Sequence, residues 1–313
     1  MQHFLAPAIT YDPPSLLYTL LTQPIKTLIR LLDLTFSTLR PKPKPNQPPI
    51  RIVCISDTHC LKAPNIPDGD LLIHAGDLAN LGSAEEIQPQ IDWLDSLPHR
   101  HKVVIAGNHD RMLDPRSRDT LPLKDRSVAL KFNSGRRLNI YGAPQTPASK
   151  KDDHAFRYPQ ESDAWSETVP RDVDVLVTHT PPKHHLDLPI ALGCEYLLKE
   201  VWDVQPTLHV FGHIHAGKSD FVGQLKGGQE VVRWDDGQRA LERALARPDG
   251  LFRGIVDPRS WLDVARVTYY GITNVLWEQI WGGSSPASTR MVLASLMYCN
   301  SGELRNPPQV VGI

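Results

Sequence analysis

Short apolar runs, each followed directly by side chains that bind metal ions, recur five times between residues 51 and 215. Runs of this length that are rich in β-branched residues are typical of buried strands, and polar residues after them belong to the following loops. Such loops gather at one edge of a sheet, so we expect their side chains to lie close together. In chain order the five motifs are Asp57-Thr58-His59, Gly76-Asp77, Gly107-Asn108-His109-Asp110, His179 and Gly212-His213-Ile214-His215.

Strand-like runs alternate with helix-like segments from 50 to about 221, and this alternation predicts an α/β fold with layered sheets. Helical spacing of apolar residues predicts helices over 84–96 and 192–201. The polar segment 146–171 has little periodicity and is expected to be a surface excursion near the site. A final strand is predicted over 291–299.

The charge of the chain is balanced, with 34 Lys and Arg against 35 Asp and Glu. A balanced charge does not favour a nucleic-acid polymer as partner. The four cysteines have no CxxC spacing, which favours reduced thiols in a cytoplasmic protein. The beginning of the sequence has neither the basic region nor the cleavage site of a secretory signal.

Residues 1–49 differ in composition from the rest and predict an amphipathic helix followed by a proline-rich linker. Ile25, Leu28, Ile29 and Leu32 recur at helical spacing, and the sequence PKPKPNQPP follows at 41–49. Two interpretations of the helical part remain open. It either docks on the catalytic domain or lies in a membrane interface, which would make the protein membrane-associated through 15–39.

A second departure from the strand–helix pattern covers about 223–290, within a domain that we place at 50–313. Helices are expected over 233–248 and 260–281, the second of them strongly apolar. The charges of Asp263, Arg266 and Glu278 argue against a membrane span. We therefore expect a helical insertion that packs on the core or on 15–39, or that offers an apolar surface to a membrane or partner.

The five motifs contain imidazole, carboxylate and amide donors and no thiolate, which argues against a closed structural zinc site. In an extended segment Asp57 and His59 point to the same side, as do His213 and His215. A carboxylate such as that of Asp77 can bridge two cations. Mixed His, Asp and Asn ligands suit Mn²⁺, Fe or Zn²⁺, and we expect two divalent ions, most simply Mn²⁺.

With these motifs the chain resembles the calcineurin-like metallophosphoesterase superfamily, whose five blocks are matched by DTH, GD, GNHD, TH and GHIH. The longer forms HAGD, THTPP and HVFGHIH resemble its metallophosphoesterase-domain branch. The resemblance covers roughly 50–222 and the final strand near 291–311, with no departure at any ligand position. It implies a layered β-sandwich flanked by helices, to which the N-terminal segment and the insertion are additions.

The resemblance also implies roles for individual residues. Asp57, His59, Asp77 and His215 would hold one metal ion, and Asp77, Asn108, His179 and His213 would hold the other. His109 would be the general acid in an attack on phosphorus by a metal-bridging hydroxide. The implied reaction is hydrolysis of a small phosphoester, most simply a phosphodiester, with cyclic nucleotides as one candidate. A phosphomonoesterase, a low-activity nucleotide-binding module and a membrane-recruited scaffold are the alternatives.

Four other polar residues receive separate predictions. Arg111 follows the third motif and could contact a phosphate. His185, beside His184, follows the fourth motif and is a candidate for a substrate contact. His74 and His209 lie inside predicted strands, where a hydrogen-bonded core histidine is expected.

Overall fold

The computed structural model describes residues 15–46, 48–116, 126–148, 154–188, 191–215, 227–248, 250–299 and 301–313. Its helices are α1 (Leu16–Thr22), α2 (Pro24–Leu39), α3 (Ala84–Ser96), α4 (Glu195–Val204), α5 (Asp236–Leu245), α6 (Leu251–Val256) and α7 (Pro258–Gln279). Its strands are β1 (Arg51–Ile55), β2 (Leu71–Ala75), β3 (His101–Ile105), β4 (Arg126–Lys131), β5 (Arg137–Ala143), β6 (Thr146–Pro147), β7 (Arg157–Tyr158), β8 (Val175–Thr178), β9 (Leu208–Phe211), β10 (Gln229–Arg233), β11 (Ser288–Leu293) and β12 (Gln309–Gly312).

The described residues form two compact units. A helical unit contains 15–44 and 231–289, and therefore α1, α2, α5, α6 and α7. A sandwich unit contains 45–217, 228–230 and 290–313. The boundary between the units falls within β10 and β11.

The strands form two main sheets. The first has the order β12-β1-β2-β3, with β1, β2 and β3 parallel and β12 antiparallel to β1. The second has the order β10-β11-β9-β8-β5-β4, in which β5, β8, β9 and β11 are parallel. The layered β-sandwich predicted from the sequence is thus confirmed.

Successive side chains of β1 point to opposite faces of its sheet and contribute to two different apolar clusters. Ile52 and Cys54 of β1 pack in one cluster with Val175 of β8 and Val210 of β9, from the other sheet. Val53 points the other way, into a second cluster that includes Leu94 of α3. Apolar residues on both faces of β1 explain its continuously hydrophobic sequence, as expected for a parallel strand covered on both sides.

The helical unit has its own apolar core. Ile25 and Ile29 of α2 pack with Leu241 and Leu245 of α5 and Val267 of α7. The apolar stripe predicted on the N-terminal helix therefore packs largely against helices of the 223–290 segment. Pro24 occupies the first turn of α2, where its missing N–H costs no hydrogen bond.

One expectation about the sandwich unit is wrong. The segment 146–171 is not only a surface excursion, because Phe156, Tyr158, Trp165 and Val169 are buried. The indole N–H of Trp165 donates to the Tyr158 hydroxyl at 2.9 Å, and that hydroxyl donates to Cys194 Sγ at 3.1 Å. A few widely spaced large side chains anchor the segment, and such spacing produces no periodic pattern. Among all the described residues, no helix is long and apolar enough to cross a membrane.

Candidate metal centre

The five motifs meet in the sandwich unit, and they come from both sheets. Asp57, Asp77 and Asn108 follow β1, β2 and β3 of the first sheet. His179 follows β8 and His213 follows β9, both of the second sheet. We expected loops at the edge of a single sheet, but the loops that form the cluster follow the carboxyl ends of parallel strands in two facing sheets.

The first group of metal-binding atoms belongs to Asp57, His59, Asp77 and His215, all within 4.8 Å of one another. His215 Nε2 lies 3.3 Å from Asp57 Oδ1 and 3.2 Å from His59 Nε2. His59 Nε2 lies 3.8 Å from Asp77 Oδ2. Two imidazoles and two carboxylates thus converge on one point.

The second group belongs to Asp77, His179 and His213, again within 4.8 Å of one another. His179 Nε2 is 3.2 Å from Asp77 Oδ2 and 3.0 Å from Asn108 Oδ1, so the amide oxygen of Asn108 adjoins this group. Asp77 is common to both groups. The two groups therefore form adjacent sites with one shared carboxylate.

Backbone carbonyl groups fix the orientation of two of these imidazoles. His179 Nδ1 donates to the carbonyl of Ala75 at 2.8 Å, and His215 Nδ1 donates to that of Cys299 at 2.9 Å. Each bond sets the tautomer and directs Nε2 into the cluster. Such outer hydrogen bonds are characteristic of histidines that bind metal ions.

The backbone that presents the motifs is not extended. Asp57, His59, Asp77 and His213 have φ values of 54°, 45°, 57° and 67°. The expectation that strand alternation directs Asp57 and His59, or His213 and His215, to one side is therefore wrong in its reason. Left-handed turns at the strand ends aim these side chains, and hydrogen bonds between neighbouring loops support the turns. Backbone conformations of this kind cluster at functional sites.

Two glycines of the motifs are required because their backbone packs against neighbouring loops with no room for a side chain. A Cβ atom on Gly107 would lie 2.2 Å from Asp77 Oδ1 and 2.4 Å from Asp77 N. A Cβ atom on Gly212 would lie 2.4 Å from Asp57 Oδ2. The backbone therefore packs directly against both buried carboxylates, and only glycine fits.

The buried carboxylates of the cluster are held in their ionised form, so the cluster attracts cations. Burial opposes ionisation of Asp57 and Asp77, but His215 beside Asp57 and His179 beside Asp77 hold both carboxyl pKa values below their usual range. Burial alone would lower the pKa of His179, whereas Asp77 raises it to about 9. Burial lowers the pKa of His213 to about 3, which keeps its imidazole neutral. Both carboxylates and His213 are therefore already in the forms that bind cations, whereas His179 must lose a proton to bind one.

His109 lies beside the first group without belonging to it. Its backbone N–H donates to Asp77 Oδ1 at 2.9 Å, and its Nδ1 lies 2.7 Å from the carbonyl oxygen of Asn80. Its ring contacts the rings of His59 and His154 edge-on, at centroid distances of 4.9 Å and 4.7 Å. His109 is thus positioned next to both groups, with Nε2 as the ring nitrogen that is left for a ligand.

His154 and Asn80 were missed by the sequence analysis. His154 stands alone in the aperiodic segment 146–171, where no motif marks it. Asn80 contributes a backbone carbonyl, so its side chain gives no signal. Asp110, the last residue of the third motif, accepts bonds from the backbone N–H groups of Gly107, Leu78 and Ala79 at 2.8, 3.2 and 3.0 Å. It therefore joins the second and third motif loops.

The remaining predicted residues have different surroundings. Arg111 is exposed and begins a 3-10 turn directly after the third motif. His185 is buried, and its Nδ1 lies 2.6 Å from Glu230 Oε1. His74 and His209 are fully buried and bond to the hydroxyls of Thr58 and Thr178, at 3.1 and 2.9 Å.

This arrangement, a two-sheet sandwich with a His, Asp and Asn cluster at its strand ends, defines a candidate two-metal centre. The sequence model of the calcineurin-like phosphoesterase family matches residues 50–217. The chain belongs to the calcineurin-like phosphoesterase family.

Individual relatives match part of the chain. A probable rhamnogalacturonate lyase C of Emericella nidulans is 46% identical over 208 residues, which are 62% of this chain and 19% of that protein. The human metallophosphoesterase domain-containing protein 1 is 36% identical over 206 residues, 53% of this chain and 61% of that protein. A UPF0046 protein of Caenorhabditis elegans is 34% identical over 193 residues, 55% of this chain and 66% of that protein. The chain thus spans less than two thirds of the length of each of these relatives.

Proposed function

We propose that the protein hydrolyses phosphate esters with the help of two divalent metal ions, and that phosphodiesters are its preferred substrates. The observation that carries this proposal is the pair of adjacent donor groups that share Asp77. A shared carboxylate with separate imidazoles on each side would suit a pair of divalent cations.

The residues fit such ions by their chemistry as well as their position. Asp57, His59, Asp77 and His215 would hold the first ion, and Asp77, Asn108, His179 and His213 the second. Nitrogen and oxygen donors without sulfur suit Mn²⁺, Fe and Zn²⁺, and we propose Mn²⁺ as the ion that supports activity. When bound, the two ions would neutralise phosphate oxygens and supply hydroxide near neutral pH.

His109 is proposed as the general acid. Its Nδ1–H is held by the carbonyl of Asn80, so Nε2 is the atom that can give a proton to the leaving oxygen. The form of His109 that donates this proton is the imidazolium. After transfer, the leaving alcohol departs uncharged and His109 takes up a proton from solvent.

The proposal of a diester substrate rests on the resemblance of the motifs to the metallophosphoesterase-domain branch. The position of His109 does not discriminate between ester classes, because the alkoxide expelled from an alkyl monoester or diester is equally basic and is assisted by the same acid. Cyclic nucleotides are the diesters that we propose to test first.

The decisive assay compares bis-p-nitrophenyl phosphate, p-nitrophenyl phosphate and a 3′,5′-cyclic nucleotide on enzyme that is stripped of metal and resupplied with Mn²⁺, Fe²⁺ or Zn²⁺. Faster turnover of the diesters supports the proposal. Turnover of the monoester alone would indicate a phosphomonoesterase. Full metal binding with no turnover of any ester would indicate a binding module.

Variants separate the metal site from the acid. Asp77→Asn and His213→Ala should lose metal and turnover together, whereas Asp68→Asn, a change of an exposed carboxylate, should lose neither. His109→Ala should keep its metal and lose roughly 10²–10⁴-fold on the cyclic nucleotide. It should lose far less on bis-p-nitrophenyl phosphate, whose nitrophenolate leaves without protonation. Equal losses on both substrates would contradict the role of His109 as acid.

A further inference from the structure

The helical unit carries most of the exposed apolar side chains of the described residues. Of the twenty-one large hydrophobic side chains that are exposed, fifteen belong to this unit, although it is the smaller of the two. Scattered exposed residues need no explanation, but a concentration of this kind marks a surface that another phase or molecule covers.

The concentration is densest along α7. Leu262, Tyr269 and Ile272, together with Ile280 at the C-cap of the helix, recur at helical spacing along about 27 Å of one face. Their side chains are between 46% and 68% exposed. A helix at the surface of a water-soluble protein normally presents charged residues there.

Both acidic side chains of α7 face inward instead. Asp263 is buried and pairs with Arg247 and Arg266, and Glu278 is buried and pairs with Arg40. The other charges of α7 are cationic: Arg259 is exposed, and the Arg266 side chain is 39% exposed while it pairs with Asp263. The exposed side of α7 therefore combines apolar residues with arginines and carries no acidic residue.

Large aromatic side chains border this stripe. Trp261, Trp277 and Trp281 are between 48% and 65% exposed, and Phe252 of the preceding helix α6 is 78% exposed. Tryptophan and tyrosine prefer the boundary between lipid headgroups and acyl chains, because their rings are apolar and carry one polar atom. A ridge of aliphatic residues between such aromatics matches the composition of a helix that lies in a membrane interface.

The charges that α6 and α7 expose favour anionic lipid over a second copy of the chain. The 231–289 part of the unit is balanced, with seven Arg against seven Asp and Glu. On α6 and α7, however, Arg253 and Arg259 are exposed, whereas Asp263 and Glu278 are buried. Two copies that met through this face would bring these arginines together, while phosphatidylserine would attract them.

We propose that the outer face of α6 and α7 docks on the surface of a membrane that contains anionic phospholipid. The helices would lie in the interface with the ridge among the upper acyl chains. This surface differs from the α2 stripe that the sequence suggests, because Ile25 and Ile29 of that stripe are buried. The proposal is independent of the catalytic function.

The test is sedimentation of the full-length protein with vesicles of phosphatidylcholine alone or with phosphatidylserine added. The wild type should bind the mixed vesicles more tightly, and salt should weaken binding. Tyr269→Glu and Ile272→Glu, which place a carboxylate on the ridge, should each lower the partition coefficient about tenfold or more. Ile272→Ser should act in the same direction, and it tests the ridge if a glutamate variant fails to fold.

The matched control is Val128→Glu, which places the same charge on an exposed valine of the sandwich unit and should leave partitioning unchanged. Arg253→Glu with Arg259→Glu should reduce only the part of binding that depends on phosphatidylserine. Three results would overturn the proposal: no sedimentation of the wild type, equal loss in Val128→Glu, or a dimer in solution that Ile272→Glu dissociates while vesicles bind neither form.

Discussion

A single added methyl group should disable the metal centre at Gly107. Its Cβ would lie 2.2 Å from Asp77 Oδ1, so Gly107→Ala should displace the carboxylate that both donor groups share. We expect roughly 10–100-fold weaker metal binding. Calorimetric titration of metal-free protein with Mn²⁺ measures this affinity. Gly312→Ala is the control, since a Cβ there would meet only Pro49 Cβ at 4.0 Å. Equal affinities in the two variants would show that the cluster tolerates the displacement.

His209 should make the fold sensitive to acid. Burial, with a smaller effect of His185, lowers its pKa in the folded protein to about 3, below the ordinary value of 6.5. Between these two pH values His209 is protonated in the unfolded chain and neutral in the folded chain. The free energy of unfolding therefore decreases as pH falls through this window. Relative to pH 7.5, the loss at pH 5 should be about 2 kcal/mol. His213 and His74, whose pKa values burial lowers to about 3 and about 4, add to the loss in both proteins. Urea unfolding at both pH values should therefore show a loss in His209→Leu that is about 2 kcal/mol smaller than the loss in the wild type. An equal pH dependence of both proteins would remove His209 as a contributor.

At the residue scale, the sequence identified the side chains that the fold brings together, because each motif places a possible metal ligand at a strand end. It did not predict how they are aimed. The positive φ values at Asp57, His59, Asp77 and His213 depend on hydrogen bonds to loops distant in sequence, such as that from Asp57 N to the carbonyl of Gly76 at 2.9 Å. His154 was missed for the same reason, since only the folded chain brings it to His109.

At the scale of elements, the ion pair between the end of α2 and α7 should stabilise the helical unit. The side chains of Arg40 and Glu278 are only 9% and 1% exposed, and Arg40 also binds Asp235 at 2.8 Å. Glu278→Gln should cost about 3 kcal/mol in the free energy of unfolding, because it leaves a buried guanidinium without its main counter-charge. Glu303→Gln, which removes an exposed partner of Arg305, should cost less than about 1 kcal/mol. Urea unfolding measures the loss of unfolding free energy in each variant. Similar losses would show that burial of the Arg40–Glu278 pair does not increase its contribution to stability.

Helices with a strong apolar period were predictable to within a few residues. The predicted 84–96 is α3, while 192–201 and 260–281 begin or end three or fewer residues from α4 and α7. Two elements were harder. Only the first three residues of the final strand expected over 291–299 belong to β11, and β12 lies further along as the antiparallel edge of the other sheet. Pairing between sequence-distant strands leaves no local signal.

At the scale of the whole molecule, bound metal should stabilise the folded chain by mass action. An ion at a hundred times its dissociation constant adds about 2.7 kcal/mol to the free energy of unfolding. Thermal unfolding with Mn²⁺ should therefore occur at a higher temperature than with a chelator. Asp77→Asn, which alters the shared carboxylate, should lose most of this difference. A shift as large as that of the wild type would place the stabilising ions elsewhere.

Because each donor group combines residues from both sheets, metal binding must follow the docking of the sheets during folding. Each group draws on both sheets: His215 completes the first beside Asp57, His59 and Asp77, and Asp77 joins His179 and His213 in the second. Neither can exist while the sheets are apart, and their residues are spread from 57 to 215. Contacts so far apart in sequence form late in folding. Metal uptake by a refolding chain should accordingly report the docking of one sheet on the other, and escape of a bound ion should be slow wherever that docking persists.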